Sequence, residues 1–383
     1  GLLCKLIIIT LPAILFAYHY YFVSDQNIKV WITRQWKYIL ITGSSGLVGS
    51  ESSIFFHNKN YKILGIDNDS RSYFFGPLAS TKKTANKLKS NLKNYQHYNI
   101  DIRNKKNLEK IFKKYRDKIK CVIHTAAQPS HDWAAKEPLT DFNINANGTL
   151  NLLYLSKKYC QKSVFIYVST NKVYGDLPNQ LPLIEKKKRY EIKSNHSFHH
   201  GVDDKMSIDK SIHSLFGVSK VSGDLLAQEY GKNLKLKTGI FRLGCITGEN
   251  HAGAELHGFL SYLFKATKNN IKYKIYGYKG KQVRDNIHAK DLVSCFWNYF
   301  LKPKKGEVYN IGGGRENSCS ILEAIELIEK KVKKKLNFSF IKKNRTGDHK
   351  WYISNNKKFK RHYPKWKIKY SLKKIIEEMD KNH

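Results

Sequence analysis

Along this chain, short unbroken apolar runs take turns with longer stretches in which apolar residues recur every three or four positions. The runs fall at residues 38–42, 62–66, 121–124, 164–169, 238–243 and 308–311. They lack the polar alternation of a strand with one wet face, so they predict strands covered on both sides. Residues 104–118, 140–160 and 217–234 carry the helical spacing, and 52–57 suit a further helix. Strand, helix and strand in turn predict the α/β class, a parallel sheet with helices on both faces. Two regions break the rhythm. Residues 178–209 are polar, rich in Lys and His, and predict an insertion over a site; 250–283 and 315–383 are mixed and predict a smaller lobe covering a substrate.

The first predicted strand runs into three spaced glycines, Gly43, Gly46 and Gly49, with Leu47 and Val48 between the last two. A tight strand-to-helix turn needs glycine where φ is positive, and a diphosphate approaches backbone only where no Cβ intervenes. The helix behind the turn offers free N–H groups and a partial positive charge. This pattern predicts dinucleotide binding on a Rossmann-type sheet extended by the C-terminal lobe. The limits expected are 37–182, 214–248 and 284–312 for the dinucleotide-binding domain, and 183–213, 249–283 and 313–383 for the substrate-binding lobe.

Asp67-Asn68 ends the second predicted strand, where a carboxylate accepts hydrogen bonds from ribose hydroxyls and repels a 2′-phosphate. That favours NAD over NADP, although Arg71 keeps the phosphorylated cofactor in view. Asp101-Ile102 follows a third strand, placed to meet an adenine amino group or to cap the helix at 104–118. Ala126 and Ala127 are small enough for a flat cofactor to lie on the backbone. Thr170, at the end of the fifth run, either donates to a substrate oxygen or caps a turn.

The formal charge of +38 changes this picture little. The excess is mostly lysine spread over helical stretches, with no nucleic-acid recognition motif, and it suits attraction of an anionic nucleotide rather than specific nucleic-acid binding. The six cysteines show no pairing rhythm and no CxxC, which argues for free thiols in a reducing, cytoplasmic setting and against a metal site. Residues 2–23 are apolar but interrupted or flanked by Lys5, Pro12 and His19, and the unbroken part is short for a span of about 20 residues. Within an extension over 1–36 they are either a membrane signal-anchor or a segment outside the folded unit.

Six segments carry a family resemblance: 124–133 (HTAAQPSHDW), 169–176 (STNKVYGD), 213–220 (HSLFGVSK), 253–259 (GAELHGF), 277–288 (GYKGKQVRDNIH) and 309–314 (YNIGGG). With the glycine turn, they make residues 38–375 resemble the extended short-chain dehydrogenases/reductases, the family of nucleotide-sugar epimerases and dehydratases. The resemblance implies NAD as cofactor, a nucleotide-diphosphate sugar as substrate, and a homodimer paired through the helices over 140–158 and 216–234. A CDP-deoxyhexose inverted at C2 is the substrate it favours. It implies that Lys220 binds the nicotinamide ribose, Thr170 holds the reacting hydroxyl, and Arg284, with Arg345 second, binds substrate phosphate beside Asn171 and Lys172.

Two departures qualify this. The family's tyrosine base lies four residues before the lysine, and here that position is Phe216. Either Thr170, Lys172, Tyr174, His213 or Cys245 substitutes, or the protein binds its ligands without turnover. Asn171 and Lys172 stand where the dehydratases of the family carry an Asp-Glu pair, which disfavours 4,6-dehydration. Further alternatives remain open: an Arg284–Asp285 surface ion pair, Tyr276 and Tyr278 as core rather than ligand-flanking residues, and His257 as a helix-start residue.

Overall fold

The computed structural model describes residues 36–248 and 258–382. The apolar segment at 2–23, Cys4 and His257 lie outside the described residues. Residues 38–383 cluster as one unit.

Seven parallel strands form the main sheet: β1 (Tyr38–Thr42), β2 (Lys62–Ile66), β3 (Tyr95–Tyr98), β4 (Ile119–His124), β5 (Val164–Thr170), β8 (Lys237–Leu243) and β12 (Glu307–Ile311). Their order is β12-β8-β5-β4-β1-β2-β3, so the chain starts in the middle, builds one edge, and crosses over to build the other. The six apolar runs are all strands of this sheet; β3, a polar tetrad, is the seventh. Alternation across the pleat explains why runs without polar residues suit it. Ile39 and Ile41 of β1 face one core with Phe56, Leu292 and Phe296, whereas Leu40 faces the other with Leu108, Ile111 and Leu152.

The first core lies under α1 (Leu47–His57) and α11 (Ala289–Leu301). The second lies under α4 (Lys105–Tyr115), α7 (Gly148–Tyr159) and α9 (Leu215–Lys232). The helix predicted over 140–160 is divided: α6 (Pro138–Phe142) passes through one π-turn (Asn143–Asn147) into α7.

Beyond the carboxyl ends of the strands stand the remaining elements. β11 (Val283–His288) pairs in parallel with β9 (Cys245–Thr247) and β15 (Trp351–Tyr352) and antiparallel with β13 (Ser318–Ser320). A separate core joins α10 (Phe259–Lys268), α12 (Ile321–Val332), α14 (Leu372–Asn382) and the parallel pair β10 (Tyr273–Tyr276) and β14 (Phe338–Ile341). The insertion holds the hairpin of β6 (Leu183–Glu185) and β7 (Tyr190–Ile192). Arg315 fixes it through Glu191 at 2.9 Å, and the Trp351 indole donates to the same carboxylate at 3.1 Å. Thus β11, although inside 284–312, belongs to the small sheet. Phe359, Tyr363 and Trp366, although inside 313–383, pack against the main one.

Candidate active site

The glycine turn closes against its neighbours with no room to spare. The Gly43 amide donates to the Ile66 carbonyl at 2.8 Å, and φ is +66° at Gly43. A Cβ there would lie 2.8 Å from the Ala126 nitrogen. Gly49 does not face the cleft as a lining residue; its Cα packs on the turn, where a Cβ would sit 2.0 Å from the Gly43 carbonyl oxygen. The N-terminus of α1 opens behind this turn, and Gly46 takes the N-cap position with no side chain over the free amides.

Asp67 reaches back from β2. Its carboxylate accepts from the Ser45 amide and the Asp69 amide, each at 2.9 Å, which fixes its direction at the rim of the turn. Asp101 does not cap the helix after it: Asn104 does, accepting from the Asn107 amide at 3.0 Å. Asp101 instead faces the cleft with Asn68 on one oxygen and Arg103 at 2.7 Å. Burial works against its charge, but the Arg103 hydrogen bonds hold its carboxyl below the usual range. Arg71 stands nearby over the Phe75 ring at 5.1 Å, its guanidinium pKa lowered by burial.

A single cleft of about 550 Å³ joins these residues to the predicted substrate side. It is lined by Gly43, Gly46, Leu47, Val48, Asp67, Asn68, Arg71, Asp101, Ile102, Ala126 and Ala127 at one end. Thr170, Asn171, Lys172, Phe216, Lys220, Arg284 and Arg345 line the other.

Lys220 rises from α9, donating to the Val168 carbonyl at 2.9 Å above the Tyr167 ring at 4.6 Å. Burial lowers its pKa to about 8, against the opposing pull of Asp224 and Asp141. Thr170 caps the turn over Asn171–Tyr174, accepting from the Lys172 amide at 3.3 Å, and also lines the cleft. Arg284 is not a surface ion pair with Asp285. It is buried, donates to the Val283 carbonyl at 2.7 Å, and is clamped by Asp348. Asp285 turns the other way, accepting from the Gly314 and Ser354 amides. Arg345 faces Asp132 at 3.7 Å. Tyr276 lines the cleft, whereas Tyr278 packs edge-on against Tyr190 at 6.4 Å between centroids.

The candidates for the missing phenol separate. Tyr174 is fully buried beside Asn310 and Arg242, and His213 is tied to the Ile208 carbonyl at 2.8 Å; neither lines the cleft. Thr170, Cys245 and Lys172 do.

Sequence reasoning missed two groups here. His131 packs its ring on Phe216, 4.9 Å between centroids, with Nδ1 against the Ser214 hydroxyl at 2.6 Å. Asn145, inside the π-turn, bonds the Gln128 amide and carbonyl, Asp141 and Ser219, and so pins the loop after β4 to α9. His131 lies in the motif segment 124–133. Asn145 carried no signal, because an asparagine in a helical stretch reads as exposed.

Comparisons with known proteins agree with this geometry. Residues 39–312 match the NAD dependent epimerase/dehydratase family. CDP-paratose 2-epimerase of Salmonella typhi is 31% identical over 350 residues, covering 89% of this chain and 97% of that one. The crystal structure of UDP-glucuronic acid 4-epimerase from Bacillus cereus, in complex with UDP-glucuronic acid and NAD, is 26% identical, with a TM-score of 0.71 over 90% of this chain and 98% of that one. dTDP-glucose 4,6-dehydratase from Bacillus anthracis in complex with NAD, at 23% identity and a TM-score of 0.69, covers 91% of this chain and 97% of that one and shares the fold.

Proposed function

The chain belongs to the NAD-dependent epimerase/dehydratase family, and on that footing we propose that it epimerises a nucleotide-diphosphate sugar, a CDP-deoxyhexose at C2. The observation that carries this reading is the one cleft that joins the glycine turn and Asp67 to Thr170, Lys220 and Arg284.

The residues fit NAD. Gly43 and Gly46 leave backbone bare at the mouth of α1, where added Cβ atoms would crowd the turn. The Asp67 carboxylate is held ready for ribose hydroxyls, and Lys220 for the second ribose. When bound, NAD supplies the acceptor for a hydride from the sugar carbon and the donor that returns it to the other face. Thr170 holds the reacting hydroxyl. Arg284, already oriented by Asp348, offers its guanidinium to the substrate diphosphate, with Arg345 and the polar Asn171 alongside. Position 172 holds a lysine, so the paired acids of the dehydratases are absent here and 4,6-dehydration is not expected.

The same chain presents an apolar stripe of Leu150 and Tyr154 on α7 and Val218 and Leu225 on α9, all exposed. A second copy covering that stripe supports the homodimer.

Incubating the protein and NAD with CDP-paratose in deuterated water, with NMR of the product, tests the reading. Inversion at C2 without deuterium there supports it, and deuterium at C2 sinks the hydride route. Phe216, buried with no hydroxyl, favours one other reading, binding of both ligands without turnover. Tight binding with no product selects it.

A further inference from the structure

Epimerisation requires an acceptor for the alcohol proton, and Phe216 offers none. We propose that Lys172 is that acceptor: its neutral ε-amine takes the proton of the reacting hydroxyl and later gives it back. The inference rests on the epimerase reading above.

The geometry is a chain of contacts around Phe216. The His131 ring meets the Phe216 ring edge to face. Gly347 lies on His131 in turn, so close that a Cβ would be 2.4 Å from Cε1. Lys172 Nζ donates to the Gly347 carbonyl at 2.9 Å. Its amine is therefore linked through Gly347 and His131 to the ring at 216, within the cleft that Phe216, Thr170 and Lys220 also line. A hydrogen bond donated from Nζ leaves the amine lone pair free to accept.

The charges facing Nζ favour the neutral form. Burial comes first, then Arg284 from β11, with Arg345 adding to it, while Asp348 and Cys245 pull the other way; the net effect lowers the pKa to about 8. His131, also beside it, has its own pKa pushed down to about 3, chiefly by burial and then by Lys172, so it stays neutral and is a weak base. Cys245 keeps its proton, since burial raises its thiol to about 11. Two groups lining the cleft, Lys172 and Lys220, have the basicity that suits neutral to mildly alkaline solution; Lys220 is assigned above to the nicotinamide ribose, which leaves Lys172 for the proton.

The step balances. The O–H proton passes to the Nζ lone pair, and the C–H bond breaks with its electron pair going as hydride to the oxidised nicotinamide, which leaves the ketone. On return, the hydride adds to the opposite face of the carbonyl carbon and the ammonium gives the proton to the oxygen. Because the acceptor must be deprotonated, kcat/KM is expected to rise with pH to a plateau, with its inflection at about 8.

Two measurements test this, one of them without turnover. Calorimetric titration of CDP at pH 8.5, in two buffers of different ionisation enthalpy, reads the proton taken up when an anion settles beside Lys172. Wild type is expected to take up more protons than Lys172→Met, which keeps only the contribution of Lys220; equal uptake by both overturns the proposal. For turnover, Lys172→Met and Lys172→Arg are expected to lose about 10²–10⁴ in kcat while still binding NAD. Lys172→Ala is expected to regain activity with added methylamine. A folded, NAD-binding Lys172→Arg that keeps kcat within tenfold overturns the proposal, as does a His131→Gln variant that alone abolishes the alkaline rise. Wild type that inverts no nucleotide sugar overturns the epimerase reading itself, an outcome distinct from an active wild type with an equally active Lys172→Met.

Discussion

Gly49 and Asp67 show how single residues set the cofactor end of the cleft. A methyl on Gly49 would press on the Gly43 carbonyl, which is backbone and cannot swing away. Gly49→Ala is expected to cost about 1–3 kcal/mol of stability through overpacking and to abolish NAD binding, read as a lower melting temperature that NAD no longer raises. Asp67 works by orientation: the Ser45 and Asp69 amides aim its carboxylate. If its carboxylate takes the two ribose hydrogen bonds proposed for it, Asp67→Ala is expected to bind NAD about 10–100-fold more weakly, with a smaller fall in affinity for NADP. Fluorescence titration of both cofactors checks this, and an unchanged ratio of the two affinities would count against the assignment. These residues were legible because their chemistry is local: a glycine before a helix and an acid after a strand carry their meaning in the sequence. The partner of Arg284 was not. Asp285 is next to it in the chain, yet alternation along β11 sends the two side chains apart, and Asp348 comes in from a distant loop.

At the scale of elements, six strands announced themselves because a sheet covered on both faces demands apolar residues at every position. β3 showed no such run, since an edge strand with Tyr-Gln-His-Tyr carries no such demand, and it was placed only as the third strand ahead of Asp101. The break inside 140–160 was hidden for a different reason. The apolar spacing continues through it, but Asn145 turns inward and its amide is shared among Gln128, Asp141 and Ser219. A single π-turn lets one side chain leave the helical register and reach all three. Asn145→Leu takes this partner from the Gln128 amide and carbonyl, while Asp141 keeps the Gln128 side chain and Ser219 the Phe216 carbonyl, at a cost of about 1–3 kcal/mol for each buried group left unpaired. A fall in melting temperature of about 5 °C or more is expected, together with weaker NAD binding, because the Gln128 loop borders the cofactor end. A variant that melts normally and binds NAD normally would show that the π-turn does not position this loop.

On the scale of the whole molecule, α9 links the proposed site to the proposed dimer face. One face of this helix buries Phe216, Lys220 and Asp224 against the sheet, and Asp224 in turn grips Arg242 at 2.8 Å. The opposite face exposes Val218 and Leu225 beside Leu150 and Tyr154 of α7, with Lys105 capping the Tyr154 ring at 4.1 Å. A helix that is apolar on its outer side and holds active-site side chains on its inner side is steadied when a second copy covers it. The wild type is therefore expected to run at about twice the 44.5 kDa chain mass in light scattering. Val218→Glu with Leu225→Glu would bury unpaired charges in that interface, and breaking a contact this way costs about 3–5 kcal/mol, enough to weaken dimerisation more than a hundredfold. The variant is expected to run as a single chain, still folded, and to lose affinity for NAD as Lys220 loses its rigid support. A wild type that stays monomeric at high concentration removes the dimer. A monomeric variant with full NAD affinity keeps the dimer but cuts its link to the site.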